Sequence, residues 1–367
     1  MFFIPRPIIG TLLEMKKGLM IILLLVTSMI AVVLIPMQQP RDAEEVDTPG
    51  EEGVSAPTTN EESTTEETPP EETGKMLRGV SLSPRSFEGQ DFAVFFEKAQ
   101  QARGILTWAG DWWGLVDEEG AAHVLTKLAL HYELEPVVIA TYFDQDTGEL
   151  VRPLNETTRR QYVEGAVAYV EAYEPRYIGF GIEINSFKMK SPDEYEEFVG
   201  FFRELYPLLK EASPDTKVFT VFQLERIKGL HGGLFRGTND ESLSQWGLLD
   251  DFPDADALAF TTYPCLVLKD PSEMPEDYYW EIRSHTSKEV FITESGWFRE
   301  GPEGWESDDE EQASFIHALF DLTEDLEPPL LIWSFLYDPD VQIPFDTMGL
   351  LDANEAHTRA WEAWTGT

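Results

Sequence analysis

The sequence is poor in basic residues and in cysteine. Its 367 residues contain 27 lysines and arginines against 68 aspartates and glutamates, and the formal net charge is −41 at pH 7. Such a chain repels the phosphates of DNA and RNA, so we expect no nucleic-acid partner, and a polyanionic substrate is disfavoured for the same reason. The single cysteine, Cys265, excludes an intrachain disulfide framework.

Several motifs that would indicate other chemistries are missing. The six histidines form no H-E-x-x-H and no paired spacing, so we expect neither a catalytic metal nor a cofactor. No G-x-S-x-G occurs to support acyl transfer by a serine nucleophile. The Gly-Phe-Gly at 179–181 lacks the third glycine of a dinucleotide-binding loop.

Residues 1–37 have the pattern of a membrane anchor. Lys16 and Lys17 precede an uncharged span of 20 residues, Gly18–Met37. As a helix this span is about 30 Å long, which matches the hydrocarbon thickness of a bilayer. We expect a retained single-pass anchor, with a cleaved signal peptide and a secreted protein as the alternative. The positive-inside rule keeps the N-terminus cytoplasmic and sends the rest of the chain outside.

Residues 38–75 have the composition of a disordered linker. They hold twelve acidic residues, two basic residues, seven threonines and five prolines, with almost no large apolar side chains. Such a segment cannot bury enough apolar surface to offset the entropy of ordering it. The prediction is an acidic, self-repelling spacer that holds a domain away from the membrane.

Residues 76–367 alternate between short apolar runs and amphipathic helical patterns. The runs predict eight strands, at 77–83, 104–110, 135–143, 175–185, 217–223, 255–264, 288–296 and 329–338. Most are continuous rather than alternating, which is typical of parallel strands buried on both faces. Eight such βα units predict a (β/α)8 TIM barrel, with an open doubly wound sheet as the alternative.

Two carboxylates fall at the predicted ends of strands four and seven. Glu183 lies in "GFGIEIN" and Glu294 in "ITESGW". In a barrel both would reach the same mouth, where catalytic residues collect. Cleavage of a glycosidic bond needs such a pair, one to protonate the leaving oxygen and one to attack the sugar carbon. A single glutamate at a strand end is more often a salt-bridged structural residue, but a pair is harder to explain in that way.

Aromatic and polar residues near the same strand ends are candidates for sugar binding, because aromatic faces suit the C–H faces of sugar rings. Tryptophan clusters are as often part of a core as of a binding platform. The candidates are Trp108, Asp111, Trp112, Asn185, Tyr263, Trp297 and Trp333.

These motifs resemble those of the clan A retaining glycoside hydrolases. The nearest families are the family 53 endo-β-1,4-galactanases, with "GNEIN" and "ETGW" motifs, and the family 17 β-1,3-glucanases, with "ESGW". The resemblance implies a retaining mechanism in which Glu183 is the acid/base and Glu294 the nucleophile. It also implies that Tyr263 donates a hydrogen bond to the nucleophile and that Trp333 is a sugar platform.

The sequence departs from this pattern at two positions. Ile182 stands where the families have an asparagine that contacts the sugar, and strand two has no arginine near the nucleophile. Arg78 on strand one is the candidate substitute. Glu183 is expected to have a raised pKa and Glu294 to stay ionised.

Two functions are therefore compatible with the sequence. The first is a membrane-anchored, extracytoplasmic hydrolase of a neutral β-linked polysaccharide or oligosaccharide, for which endo action is expected over exo. The second is a catalytically inactive barrel that binds glycans or acts as a scaffold in the cell envelope.

Overall fold

The computed structural model describes residues 76–86, 89–145 and 147–366. The predicted anchor at 1–37 and the predicted linker at 38–75 lie outside these residues. Within the described part, no helix has the length and apolar character needed to cross a membrane.

Eight parallel strands close into a barrel in sequential order, with β1 paired to β2 and to β8. This confirms the eight-stranded (β/α) barrel and excludes the open sheet. The strands are β1 Leu77–Ser81, β2 Gly104–Asp111, β3 Glu135–Thr141, β4 Tyr177–Phe180, β5 Lys217–Gln223, β6 Ala257–Thr262, β7 Glu289–Ser295 and β8 Leu330–Trp333.

Helices follow the strands and surround the barrel. They are α1 Gly89–Gln101, α2 Trp113–Val116, α3 Ala121–His131, α4 Glu156–Tyr173, α5 Ile184–Lys190, α6 Pro192–Ala212, α7 Leu224–Ile227, α8 Asp309–Thr323 and α9 Arg359–Thr365. Short 3-10 helices occupy much of the connections after β5 and β6. The sheet order, with each connection returning to a parallel neighbour, brings all eight strand ends to one mouth.

The strands are apolar on both faces because they separate two layers of core. In β3, Val137 and Ile139 pack inside the barrel, while Val138 and Ala140 pack against the surrounding helices. Side chains alternate between the two faces of a strand, so both halves of each strand sequence must be apolar. This is the physical reason for the continuous apolar runs.

Strand β4 is shorter than the sequence predicts, and the difference positions Glu183. The strand ends at Phe180 rather than at 185. Gly181 then has a φ of 78° and Glu183 a φ of 53°, both in the left-handed region. Glu183 is the residue immediately before α5, so it stands on a sharp turn beyond the strand. A non-glycine residue in this region is strained, and positions with such strain include many functional sites.

Candidate active site

A cavity of about 560 Å³ lies at the carboxyl-terminal mouth of the barrel. Glu183, Tyr263 and Glu294 all line it. Of the nine site residues predicted from the sequence, these three are the ones that the fold brings to the cavity. They come from the ends of strands four, six and seven, as the barrel requires of residues that meet at one mouth.

Thr261 on β6 connects the two glutamates. Its hydroxyl donates a hydrogen bond to Glu183 Oε1 at 2.8 Å. In the ladder between β6 and β7 its backbone pairs with that of Glu294, just after an irregularity in the register. Thr261 therefore links the turn after β4, through its hydroxyl, to β7, through its backbone.

Glu294 is half-buried and accepts a hydrogen bond from the Tyr263 hydroxyl, with 2.7 Å between Tyr263 Oη and Glu294 Oε2. The same Tyr263 oxygen lies 2.7 Å from Ser334 Oγ, which holds the phenol in place. Burial and the charge of Glu183 raise the pKa of Glu294 to about 7, and the Tyr263 hydrogen bond partly opposes this. The sequence predicts that Glu294 stays ionised, so a raised pKa is a correction.

The pKa of Glu294 is raised because no described cation opposes the effects of burial and of the Glu183 charge. Arg78, the candidate substitute for the missing strand-two arginine, points away from the cavity. Its guanidinium carbon lies 4.6 Å from the centroid of the Phe320 ring and 5.8 Å from that of Trp364, between the barrel and the outer helices.

Glu183 is also half-buried, but it has cations beside it. Burial raises the pKa of the Glu183 carboxyl, as the sequence predicts. The Thr261 hydroxyl and the charges of Arg226 and Lys190 act in the opposite direction. The two carboxyls therefore both hold protons more tightly than free glutamate.

The four tryptophans predicted as sugar platforms are Trp108, Trp112, Trp297 and Trp333, and all lie in the core. Trp112 stacks on Tyr162 with ring centroids 4.5 Å apart, and Trp333 donates from Nε1 to the Met348 carbonyl at 2.8 Å. Side chains that solvent cannot reach offer no face to a sugar ring, so these four cannot act as platforms in this conformation.

Asp111 and Asn185 are not part of the cavity lining, and both have structural partners. Asp111 Oδ2 accepts a hydrogen bond from the Arg152 guanidinium at 2.6 Å. Asn185 is fully buried and joins α5 to the end of β5, accepting from the Gln223 backbone N–H at 2.8 Å and donating to its carbonyl at 3.1 Å. Neither side chain is placed to contact a ligand in the cavity.

The cavity contains residues that the sequence reasoning missed. Gln223 and Arg226 line it from the end of β5, a strand from which no candidate was taken. Phe235, Phe335 and Phe345 provide the aromatic surface in place of the predicted tryptophans. The sequence does contain a signal for Gln223 and Arg226, because both are polar residues directly after the run at 217–222.

Glu225 is a further carboxylate behind the cavity wall, and it is fully buried. Its oxygens accept hydrogen bonds from the Thr262 hydroxyl at 2.7 Å, the Tyr278 hydroxyl at 2.9 Å and the Tyr263 backbone N–H at 3.2 Å, and from the Gln223 side-chain amide. It ties the ends of β5 and β6 together.

Among the described residues, no group of three or more histidine, cysteine, aspartate or glutamate side chains is arranged to hold a metal ion.

Comparison with known proteins relates the chain to others through its fold. No protein-family model matches it, and no curated protein matches it in sequence. It is similar to a solved family 5 subfamily 18 glycoside hydrolase from Streptomyces cattleya in complex with GlcNAc, with a TM-score of 0.57 and 14% identity, covering 80% of this chain and 79% of that one.

Two further solved structures have comparable similarity. The family 53 catalytic domain from Ignisphaera aggregans has a TM-score of 0.53 and 13% identity, with coverage of 79% of this chain and 95% of that one. A family 39 glycoside hydrolase from Bacteroides cellulosilyticus WH2 has a TM-score of 0.54 and 14% identity, and the match covers 79% of this chain but only 62% of that enzyme. At this identity the likeness establishes the barrel fold.

Proposed function

We propose that this protein is a glycoside hydrolase that cleaves a β-linked glycan with retention of configuration, with Glu294 as nucleophile and Glu183 as acid/base. The observation that carries the proposal is the pairing of these two carboxyls in one cavity, through Thr261 and Tyr263. The solved structures similar in fold include glycoside hydrolases of several families, which supports the same reaction class.

In the first step, a carboxylate oxygen of Glu294 attacks the anomeric carbon. The bond from that carbon to the glycosidic oxygen breaks, and Glu183 gives its proton to the departing oxygen. In the second step, Glu183 takes a proton from water while the water oxygen attacks the same carbon, which frees Glu294. Each step inverts the anomeric centre, so the product retains the configuration of the substrate.

Tyr263 supports the role of Glu294 in this scheme. Its hydroxyl stabilises the ionised carboxylate through the 2.7 Å hydrogen bond. Since the pKa of Glu294 is about 7, the reactive anion is present mainly above neutral pH. Burial raises the pKa of Glu183, which favours the protonated form that an acid catalyst needs.

The substrate is proposed to be a largely neutral polysaccharide or oligosaccharide, because the net charge of −41 disfavours long polyanions. The resemblance to endo-acting galactanases favours cleavage within a chain. The uncharged Gly18–Met37 span favours attachment to the cell membrane with the barrel outside, or secretion if the segment is cleaved.

A second candidate function is a barrel that binds glycans without cleaving them. Two observations favour it. Ile182 replaces a sugar-contacting asparagine and is packed into the inner core. Glu294 also lacks a described cationic neighbour that would keep it ionised.

The test is a screen of the purified protein against β-linked glycans, scored by release of new reducing ends. Wild type should cleave at least one glycan, and Glu294→Gln should lose about three orders of magnitude of activity while still binding it. Glu171→Gln, an exposed change on α4, is the matched control and should keep full activity. Equal cleavage by Glu294→Gln refutes the nucleophile assignment, and binding without cleavage by wild type selects the second function.

A further inference from the structure

A buried carboxyl joins the strand ends behind the cavity. Glu225 is fully buried and does not line the cavity, so it cannot touch a ligand there. Ionisable side chains are almost never fully buried unless partners replace their lost hydration. The two steps of the proposed reaction do not use this carboxyl. Its partners therefore show what it is kept for.

Four hydrogen bonds converge on the two oxygens of Glu225. The hydroxyls of Thr262 and Tyr278 lie 2.7 Å and 2.9 Å from Oε1. The Tyr263 backbone N–H donates to Oε2 at 3.2 Å, and the Gln223 side-chain amide donates to the same oxygen. Because N–H groups cannot accept, Oε2 acts only as an acceptor. Glu225 therefore gathers donors from the ends of β5 and β6 and from the segment that carries Tyr278.

One of these donors belongs to the residue that contacts the nucleophile. Tyr263 follows β6 directly, and the ladder between β6 and β7 ends one residue earlier, at Thr262. The Tyr263 backbone N–H binds Glu225, while the hydroxyl of the same residue is 2.7 Å from Glu294 Oε2. Ser334 Oγ lies 2.7 Å from that hydroxyl. Tyr263 is therefore held at its backbone by Glu225 and at the end of its ring by Ser334.

A second donor belongs to the cavity wall. Gln223 lines the cavity at the end of β5. Its side-chain amide donates to Glu225 and accepts from the Arg226 backbone N–H at 2.7 Å. Its backbone exchanges two hydrogen bonds with Asn185, which lies two residues after Glu183. Hydrogen bonds through Glu225 therefore connect the helix that follows Glu183 to the end of β6.

We propose that Glu225 is a positioning residue of the active site, which holds Tyr263 in hydrogen-bond contact with Glu294. It acts through the backbone of Tyr263 and touches neither the substrate nor the reacting atoms. The importance of this contact for catalysis rests on the proposed function, whereas the effect of Glu225 on the contact itself does not.

The direction of the effect on Glu294 separates positioning from a direct effect of charge. The Tyr263 hydroxyl lowers the pKa of Glu294, whereas burial and the charge of Glu183 raise it. If Glu225 holds Tyr263, its loss weakens this hydrogen bond and raises the pKa of Glu294. Removing a negative charge near Glu294 would by itself lower that pKa. The two effects therefore have opposite signs.

The other titratable groups that face Glu225 are Tyr278, Tyr279, Cys265 and Glu183. Burial raises the pKa of the first three well above their ordinary values, so they stay neutral near pH 7. The charge of Glu225 raises the pKa of Glu183. Loss of Glu225 therefore also favours ionised Glu183, and the test must separate this indirect effect from positioning.

The test follows the protonation of Glu294 and needs no turnover. The full-length protein is labelled with glutamate that carries carbon-13 in the side-chain carboxyl, and the Glu294 signal is the one absent from Glu294→Gln. NMR then gives its titration midpoint. Glu225→Leu should raise the midpoint by about one unit, as Tyr263→Phe does. Glu225→Gln should raise it much less, because an amide oxygen can still accept from the Tyr263 N–H.

A double variant shows whether Glu225 acts through Tyr263. Tyr263→Phe leaves no hydroxyl to position, so adding Glu225→Leu should leave the midpoint where Tyr263→Phe alone places it. A further rise in the double variant would show an effect through the charge of Glu183 and would overturn the inference.

Tyr278→Phe removes one donor to Glu225 without changing any charge, and it should raise the midpoint by a few tenths of a unit. Tyr169→Phe is the matched control and should leave the midpoint unchanged. Tyr169 is a buried tyrosine on α4 whose hydroxyl lies 2.6 Å from Thr126 Oγ1, and it does not line the cavity. If Glu225→Leu does not fold, judged by circular dichroism, Tyr278→Phe decides the result.

An unchanged or lowered midpoint in Glu225→Leu refutes the inference, and so does an equal shift in Tyr278→Phe and Tyr169→Phe. If wild type cleaves a glycan but Glu225→Leu leaves the midpoint in place, the hydrolase stands and only this inference fails. If the midpoint moves as predicted but wild type cleaves no glycan, Glu225 positions Tyr263 and the hydrolase is refuted.

Discussion

Glu294 is a half-buried carboxyl whose charge is stabilised by one hydroxyl and by no described cation. Burial and the neighbouring Glu183 raise its pKa to about 7, and the Tyr263 hydrogen bond is the one contribution that lowers it. Tyr263 therefore controls the pH at which Glu294 becomes a nucleophile. In the families that the sequence resembles, a strand-two arginine would stabilise the ionised carboxylate with a full positive charge.

Replacing Tyr263 with phenylalanine should move the acidic limb of the rate profile. Without the hydroxyl the pKa of Glu294 rises further, so the limb should shift to higher pH by about one unit. Activity at pH 6 should fall more than activity at pH 8. Tyr337→Phe is the control, because the Tyr337 hydroxyl is buried without a hydrogen-bond partner in the described structure. An unchanged limb in Tyr263→Phe would show that Glu294 is not the group that titrates.

The same carboxyl should cost the fold stability at alkaline pH. Its pKa rises from 4.5 to about 7 on folding, so the folded state binds the proton more tightly than the unfolded state. Stability then falls as pH rises through this range, and the loss is complete above about pH 7.

Glu294→Gln carries no charge at any pH, so it should raise the melting temperature by about 3 °C at pH 8 and by much less at pH 5. Thermal unfolding by circular dichroism at both pH values measures this, and the exposed Glu171→Gln should show no such difference. A shift of equal size at both pH values would contradict the assigned pKa.

The sequence predicts the eight strands, but it does not predict where each strand ends or how the chain turns at the mouth of the barrel. All eight apolar runs form strands. Their side chains pack in two layers of core, one inside the barrel and one between the barrel and the helices, so both faces of a strand are apolar. The end of β4 was misjudged because the chain turns at Gly181 and Glu183 with positive φ. Nothing in the residue types marks a glutamate that adopts the left-handed region, because glutamate has no special preference for it.

Trp333 lies in the core rather than at the cavity because of the register of β8. On β8, Ile332 packs inside the barrel, so its neighbour Trp333 faces the outer helices. A shift of one residue reverses the face of every side chain on a strand, and an apolar run gives no signal for the register. Phe335, two residues beyond Trp333, lines the cavity instead.

Gly79 on β1 tests the close packing inside the barrel. A Cβ at this position would lie 2.1 Å from the backbone oxygen of Ile105 on the neighbouring strand. Gly79→Ala should therefore lower the free energy of unfolding by about 3 kcal/mol, measured by urea denaturation. Gly200→Ala is the control, because a Cβ there meets nothing within 4 Å and the position is inside helix α6, where alanine should stabilise by about 0.5–1 kcal/mol. Equal stability of Gly79→Ala and wild type would show that β1 does not pack in this way.

At the scale of the molecule, the closed barrel and its outer helices lie entirely within 76–366. Residues 1–75 are expected to add an anchor and a spacer, and the spacer has almost no large apolar side chains to add to the core. A protein that starts at residue 76 should therefore stay soluble and unfold in one thermal transition at an unchanged midpoint. A large drop in the midpoint would show that the N-terminal segment docks on the barrel.

If Glu294 is the nucleophile, it forms a covalent bond to a sugar in each turnover, and that bond can be trapped chemically. The protein is incubated with 2-deoxy-2-fluoro β-glycosides of glucose, galactose, mannose and xylose that carry a reactive leaving group, and is then analysed by intact and peptide mass spectrometry. We predict the addition of one fluorosugar, on the peptide that contains Glu294, and none in Glu294→Gln. A label on Glu183 instead, or an unlabelled protein that cleaves its glycan with inversion, would contradict the account.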